Sequence, residues 1–167
     1  GFLWGTATAS YQIEGGAASG GRTPSIWDTF CAMEGNVANG DSGSVACDHF
    51  NRFRDDVKLM KSLGLPAYRF SLSWSRLLPR GRGKVSRRGA AFYNALIDAL
   101  VAEGIEPVVT LYHWDLPQCL EDEYGGWLDR RVIGDFEHYA SCCFELFADR
   151  VSRWITLNEP WCCAAIG

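Results

Sequence analysis

Three short runs rich in β-branched and aromatic residues, each preceded by a stretch of helical periodicity, constrain this chain's fold more than any other feature. The runs are Ala67 to Ser73, Glu106 to Tyr112 and roughly 153–159. The Val108-Val109-Thr110-Leu111 centre of the second favours extended backbone. Ahead of the first run, Phe50, Phe53, Val57 and Met60 recur at helical spacing behind Asp48, a residue suited to capping. Ahead of the second come Phe92, Leu96 and Leu100, after a helix start near Ser86. Ahead of the third come Ile133, Phe136, Ala140, Phe144 and Phe147. Gly64 and Gly104 punctuate the ends of the first two helical stretches. A further segment, residues 2–10, reads as a short buried strand that opens the series. The resulting order, β, loop, α, β, loop, α, β, loop, α, β, favours parallel strands joined by helical crossovers. Binding groups are then expected on the loops beyond the strand C-termini.

A doubly wound sheet and part of a (β/α)8 barrel both fit that order. Length bears on the choice, because a complete barrel runs to roughly 250 residues and this chain has 167. Four strands with three intervening helices make about half a barrel, and residues 1–167 read as one incomplete catalytic-domain segment. The formal charge of -4 argues against a polyphosphate-binding surface, so no nucleic-acid partner is expected. No apolar run is long enough to cross a bilayer, no membrane insertion is expected, and no targeting segment is visible. The chain reads as soluble. It opens inside an organised segment, Gly1-Phe2-Leu3-Trp4-Gly5, so anything natural before it is not informed by that absence.

The seven cysteines, at 31, 47, 119, 142, 143, 162 and 163, cannot all pair within one chain. Reduced structural thiols are the main reading, with Cys31 to Cys47 as the candidate disulfide. No Cys-x-x-Cys unit occurs, and His49, His113 and His138 lack ligand-motif spacing. Neither a metal nor a cofactor is expected. The glycines at 15, 16, 20 and 21 do not form a dinucleotide fingerprint, and no phosphate-binding loop is present. Residues 15–21 and 36–43 read as surface loops. Arg76 to Arg88, with six basic residues and no acidic one, reads as a solvated loop and helix start.

Chemistry gathers at the strand ends. Glu159 lies at the last one, before Pro160, which biases it toward extended backbone. A carboxyl held protonated in a dry pocket can donate to a leaving oxygen and then serve as a base. Asn158 can position it or bind a substrate hydroxyl. Arg69 sits in the apolar centre of a strand, where a guanidinium needs hydrogen bonds and compensating negative charge. Glu159 could supply that charge, but this would favour its ionised form, so a second carboxylate outside the chain fits better. His113, Trp114 and Asp115 follow the third strand. Histidine can bind a hydroxyl and tryptophan can cover a sugar face, while Gln12 can bond two neighbouring hydroxyls.

Five separated motifs in order carry a resemblance. They are Phe2-Leu3-Trp4-Gly5-Thr6-Ala7-Thr8-Ala9-Ser10-Tyr11-Gln12-Ile13-Glu14-Gly15, Asp48-His49, Tyr68-Arg69-Phe70-Ser71-Leu72-Ser73-Trp74-Ser75-Arg76, Tyr112-His113-Trp114-Asp115-Leu116-Pro117-Gln118, and Thr156-Leu157-Asn158-Glu159-Pro160. Over essentially its whole length the chain resembles the N-terminal half of glycoside hydrolase family 1, the β-glucosidase family. The resemblance implies an α/β fold, the N-terminal half of a (β/α)8 TIM barrel. It implies retaining hydrolysis of β-glycosides by the complete protein, with Glu159 as acid/base and Arg69 orienting the nucleophilic carboxylate. Gln12, His113 and Asn158, with Trp114, would hold the non-reducing-end sugar. Trp27 and Trp74 are assigned to packing.

The family nucleophile is a Glu in a Thr/Ser-Glu-Asn-Gly pattern, and this chain has none. Glu14, Glu121 and Glu123 are not promoted to that role. The expected partners are a β-glycoside substrate and a missing C-terminal half or complementary chain, and the 167 residues alone are expected to be inactive. The alternatives are a catalytically silent carbohydrate-binding half-barrel, or an interaction subunit that docks through its exposed edge or basic segment.

Overall fold

In the computed structural model, which describes residues 1–165, the strands form one sheet. They are β1 (Thr6–Ala7), β2 (Ala67–Ser71), β3 (Glu106–Tyr112) and β4 (Arg153–Leu157). The sheet order is β1-β2-β3-β4, with every pair parallel. A doubly wound sheet reverses direction at a switch point, whereas here each crossover moves on to the next strand. Right-handed crossovers advancing one way place their helices on one face and leave the other as an inner wall. The chain is thus the N-terminal half of a (β/α)8 barrel. Its crossover helices are α3 (His49–Ser62), α5 (Arg87–Ala102) and α7 (Arg131–Phe147). Shorter helices are α1 (Ser10–Ile13) and α2 (Ile26–Ala32) before them, α4 (Trp74–Leu77) and α6 (Gln118–Tyr124) between them, and α8 (Pro160–Ala165) after β4.

The strand period of two divides the residues between the faces. Tyr68 and Phe70 of β2, with Val109 and Leu111 of β3, are buried in one cluster with Phe53, Val57 and Met60 of α3 and with Phe92, Leu96 and Leu100 of α5. Arg69 pairs in register with Val108 and shares its inner face, and both are only half-buried. Burying one such aliphatic or aromatic side chain contributes about 1.5–3 kcal/mol, so the helix-facing layer carries most of the stability. Trp74 is wholly buried, stacked on Tyr139 at 4.7 Å, with its Nε1 donating to the Gly81 carbonyl at 2.8 Å. Its assignment to packing agrees with this environment.

Several expectations need correction. The opening strand is two residues long, not nine, and Phe2 and Trp4 are 80% and 72% exposed. β2 ends at Ser71 and β4 at Leu157, each two residues early, and α4 begins at Trp74 and α8 at Pro160. Asp48 occupies the cap position of α3 but makes no capping hydrogen bond. It adopts a left-handed backbone, and its carboxylate accepts from Asn51 instead. On α7 the buried residues are Val132, Tyr139, Cys143 and Phe147, while Ile133 and Phe144 are exposed. The apolar stripe therefore lies rotated from its expected line. All seven cysteines are free, Cys31 and Cys47 included. No helix among the described residues is long and apolar enough to cross a membrane.

Residues 15–21 form more than a surface loop, and Arg76 is not solvated. The Arg76 guanidinium is fully buried and donates to Glu14 Oε2 at 3.0 Å, to the Ser19 carbonyl at 2.9 Å and to the Gly15 carbonyl at 3.1 Å. The glycine-rich loop wraps it because its carbonyls must replace water around a buried cation. Close approach recurs at Gly89 of α5, where a Cβ would lie 2.2 Å from the Arg76 carbonyl oxygen. Gly to Ala ordinarily stabilises a helix by up to about 1 kcal/mol. Here overpacking reverses the sign, and Gly89→Ala is expected to cost about 1–3 kcal/mol. The denaturation midpoint of the whole protein carrying the substitution measures it.

Candidate active site

Strands β2, β3 and β4 bring three of the expected site residues together. Arg69 lies on β2. Its Nε donates to Thr110 Oγ1 of β3 at 2.9 Å, and its Nη2 donates to Asn158 Oδ1, just beyond β4, at 2.7 Å. Asn158 is buried, and its backbone N–H donates to the Tyr112 carbonyl at 2.9 Å. Trp114 donates from Nε1 to the Asn158 carbonyl at 3.0 Å. Asn158 is the hub of this end of the sheet. Its side chain holds Arg69 and its main chain holds β3 and the indole.

The hub holds Arg69 by hydrogen bonds alone. Among the described residues Arg69 forms no ion pair, and Glu159 is not bonded to it. Two of the guanidinium's five donors are used, which leaves a planar fork suited to a carboxylate. Thr110 went unnoticed in the sequence as a partner for Arg69. The signal was there, because Thr110 lies two residues beyond Val108, the register partner of Arg69, and so shares its face.

Glu159 is exposed, and its backbone departs from expectation. In place of extended geometry it has φ of 46°, in the left-handed region. Residues held there store of order 1–3 kcal/mol of strain, and such residues cluster at functional sites. Trp114, with φ of 69°, is a second case at the same end of the sheet. The Glu159 carbonyl accepts from the Cys163 N–H at 3.2 Å in the first turn of α8. That turn prevails over the extended bias that Pro160 imposes.

His113 is half-buried. Burial lowers its pKa, the Arg69 charge lowers it further, and Glu159 opposes both. The ring is therefore neutral at neutral pH, with one nitrogen able to donate and the other to accept. Its Nδ1 is buried without a partner among the described residues. Gln12 lies on α1, exposed, and its side chain makes no hydrogen bond among the described residues. Of the glutamates set aside, Glu14 is bonded to Arg76 and Tyr93, and Glu123 pairs with Arg82.

Asp115 is the most perturbed carboxyl of the site. It is fully buried, its Oδ2 accepts from Ser10 Oγ, and its Oδ1 has no partner among the described residues. Burial pushes its pKa up to about 7. The Ser10 hydrogen bond opposes this, Glu14 adds to it and Arg22 opposes it. Since the unfolded value is near 3.9, the folded state binds the extra proton between about pH 4 and 7, so stability falls as pH rises through that window. Asp115→Asn is expected to remove this slope, on the order of 2–4 kcal/mol. Denaturation midpoints at pH 5 and pH 8 check it.

Comparisons with known proteins identify the family of the chain. The family model for glycosyl hydrolase family 1 matches residues 1–167. β-Glucosidase A of Thermotoga maritima is 54% identical over 167 residues, which is 100% of this chain and 37% of that protein. Furcatin hydrolase of Viburnum furcatum is 55% identical over 164 residues, 96% of this chain and 30% of that protein. A rice β-glucosidase structure superposes with a TM-score of 0.97 at 53% identity, covering 100% of this chain and 35% of its own. The chain thus spans about a third of the length of these relatives. With its family motifs in order and its strands in the barrel's sequence, the chain belongs to glycosyl hydrolase family 1.

Proposed function

We propose that the whole protein hydrolyses β-glycosides with retention of anomeric configuration, and that residues 1–167 supply the acid/base half of its catalytic domain. The observation that carries this is the Asn158 hub, which joins Arg69 of β2 and Trp114 beyond β3 to the residue before Glu159 and leaves the Arg69 fork without a carboxylate among the described residues. Relatives named as β-glucosidases support a β-glucoside as substrate.

Glu159 protonates the departing glycosidic oxygen while a second carboxylate, contributed from outside these residues, attacks the anomeric carbon. Glu159 then deprotonates the water that releases the sugar. A retaining pair of carboxyl groups stands about 5–5.5 Å apart. Arg69 keeps the second carboxylate ionised and oriented, because an adjacent guanidinium favours its charged form. His113, Asn158 and Gln12 bind the hydroxyls of the sugar, and Trp114 covers its apolar face. The neutral state of His113 suits it to a hydroxyl, toward which it can donate or accept.

Proton NMR of the first-formed sugar tests the mechanism. A β-glucoside treated with the whole protein should release the β-anomer before mutarotation. Release of the α-anomer would require inversion, and with it a carboxylate spacing of about 6.5–9.5 Å. That result, or no hydrolysis, would overturn the reading.

A further inference from the structure

Gln12 is carried by α1, a helix of four residues, far below the roughly 12–15 at which an isolated helix becomes even marginal in water. Its position is therefore set by its attachments. At its N-terminal end the Ser10 N–H donates to Ser71 Oγ, at the end of β2, at 2.8 Å, and Ser10 Oγ donates to Asp115 Oδ2. Ser10, Ser71 and Asp115 are all buried. At its C-terminal end Glu14 is bonded to Arg76 and Tyr93.

The Ser10–Asp115 bond joins residues 105 apart in sequence. It ties the helix that carries Gln12 to the turn that carries His113 and Trp114. That turn is held in a left-handed conformation at Trp114, so it needs an anchor. Ser10 on α1 is bonded to Asp115, and the charges that act on it are Glu14 just past α1 and Arg22 on the loop before α2. None of these is an expected sugar ligand, and Asp115 itself faces the protein interior.

We propose that Asp115 is a positioning residue for the sugar-binding end of the site, setting Gln12 against the His113–Trp114 turn through its hydrogen bond with Ser10. This rests on the roles assigned above to Gln12 and His113. A misplacement of about 1 Å can cost as much as 100-fold where geometry governs, and loss of uniform binding appears in KM rather than kcat.

The test uses the whole protein with 4-nitrophenyl β-glucopyranoside as substrate and glucose as a calorimetric ligand. Asp115→Ala and Ser10→Ala should each raise KM and weaken glucose binding by about tenfold, with kcat changing much less. Asp115→Asn retains an acceptor oxygen for Ser10 and should restore both to within about twofold. In a Gln12→Ala background, Asp115→Ala should weaken binding by less than about threefold, because coupled residues are non-additive. Losses that multiply in the double variant would overturn the proposal. So would equal impairment by Asn and Ala at position 115, or a lower unfolding midpoint with unchanged affinity. Should Asp115→Ala be poorly folded, Ser10→Ala gives the same reading with a smaller perturbation. Glucose affinity reports positioning even in a protein that hydrolyses nothing, so failure of the hydrolase reading would show separately, as absent turnover with altered glucose binding.

Discussion

In the whole protein, Glu159→Gln is expected to lower turnover of an unactivated β-glucoside by about 10²–10⁴-fold, the range supplied by a positioned general acid–base. Glutamine keeps the shape of the side chain but has no acidic proton to give the departing oxygen and cannot accept one from water. An activated nitrophenyl leaving group departs without protonation, so the first step should survive and release of the sugar should become limiting. Azide needs no base to attack the glycosyl-enzyme. It should accelerate the variant on the activated substrate, leave the wild type nearly unaffected and yield a β-glycosyl azide. Kinetics with and without azide, on both substrates, measure this. Undiminished hydrolysis of the unactivated substrate would remove Glu159 from the acid/base role.

Arg76→Met is expected to destabilise the protein by about 3–5 kcal/mol, because it leaves the Glu14 carboxylate in a dry interior without its counter-charge. The guanidinium makes three hydrogen bonds and lies 4.3 Å from the centre of the Phe50 ring. The Tyr93 hydroxyl donates to the other Glu14 oxygen at 2.6 Å while accepting from the Ser73 N–H at 2.7 Å. One substitution therefore disturbs α1, α4 and α5 together. Removing both charges should cost less than removing one, since the isolated charge carries much of the penalty. The double variant Arg76→Met, Glu14→Gln should recover part of the loss. Denaturation midpoints of the single and double variants decide this, and a double variant less stable than Arg76→Met would contradict it.

The two networks divide the work at this end of the sheet. Arg69 leaves donors open among the described residues, as the role proposed for it requires. Arg76 spends its donors on a glutamate and two carbonyls, as a residue that serves the fold must. Within Tyr68-Arg69-Phe70-Ser71-Leu72-Ser73-Trp74-Ser75-Arg76 the two arginines look alike. Arg76 read as the first member of a solvated basic stretch because its partner, Glu14, lies 62 residues away.

The same limit accounts for α7. Its sequence offers two overlapping apolar stripes, one through Ile133 and Phe144 and another through Val132, Tyr139 and Cys143. Helical spacing accommodates either. The second faces the core, while Phe144 packs edge-on against Trp154 at 4.9 Å, beside the last strand. Glu159 makes a related point about backbone. The residue before a proline prefers extended geometry, yet the first turn of α8 holds it left-handed.

What the chain's own residues determined is the alternation of strand and helix, the boundaries of β3 to the residue, the start of α5 near Ser86, and the gathering of Asn158, Glu159, His113 and Trp114 at strand ends. Those features arise from local periodicity, capping and turn chemistry, which act over a few residues. Tertiary structure decided the shortness of β1, the stripe that α7 buries, the left-handed turn at Glu159 and the partners of Arg69, Arg76 and Asp115. Each of these depends on groups brought together across long stretches of sequence, where desolvation forces every buried charge to find whatever partner the packed layers place beside it.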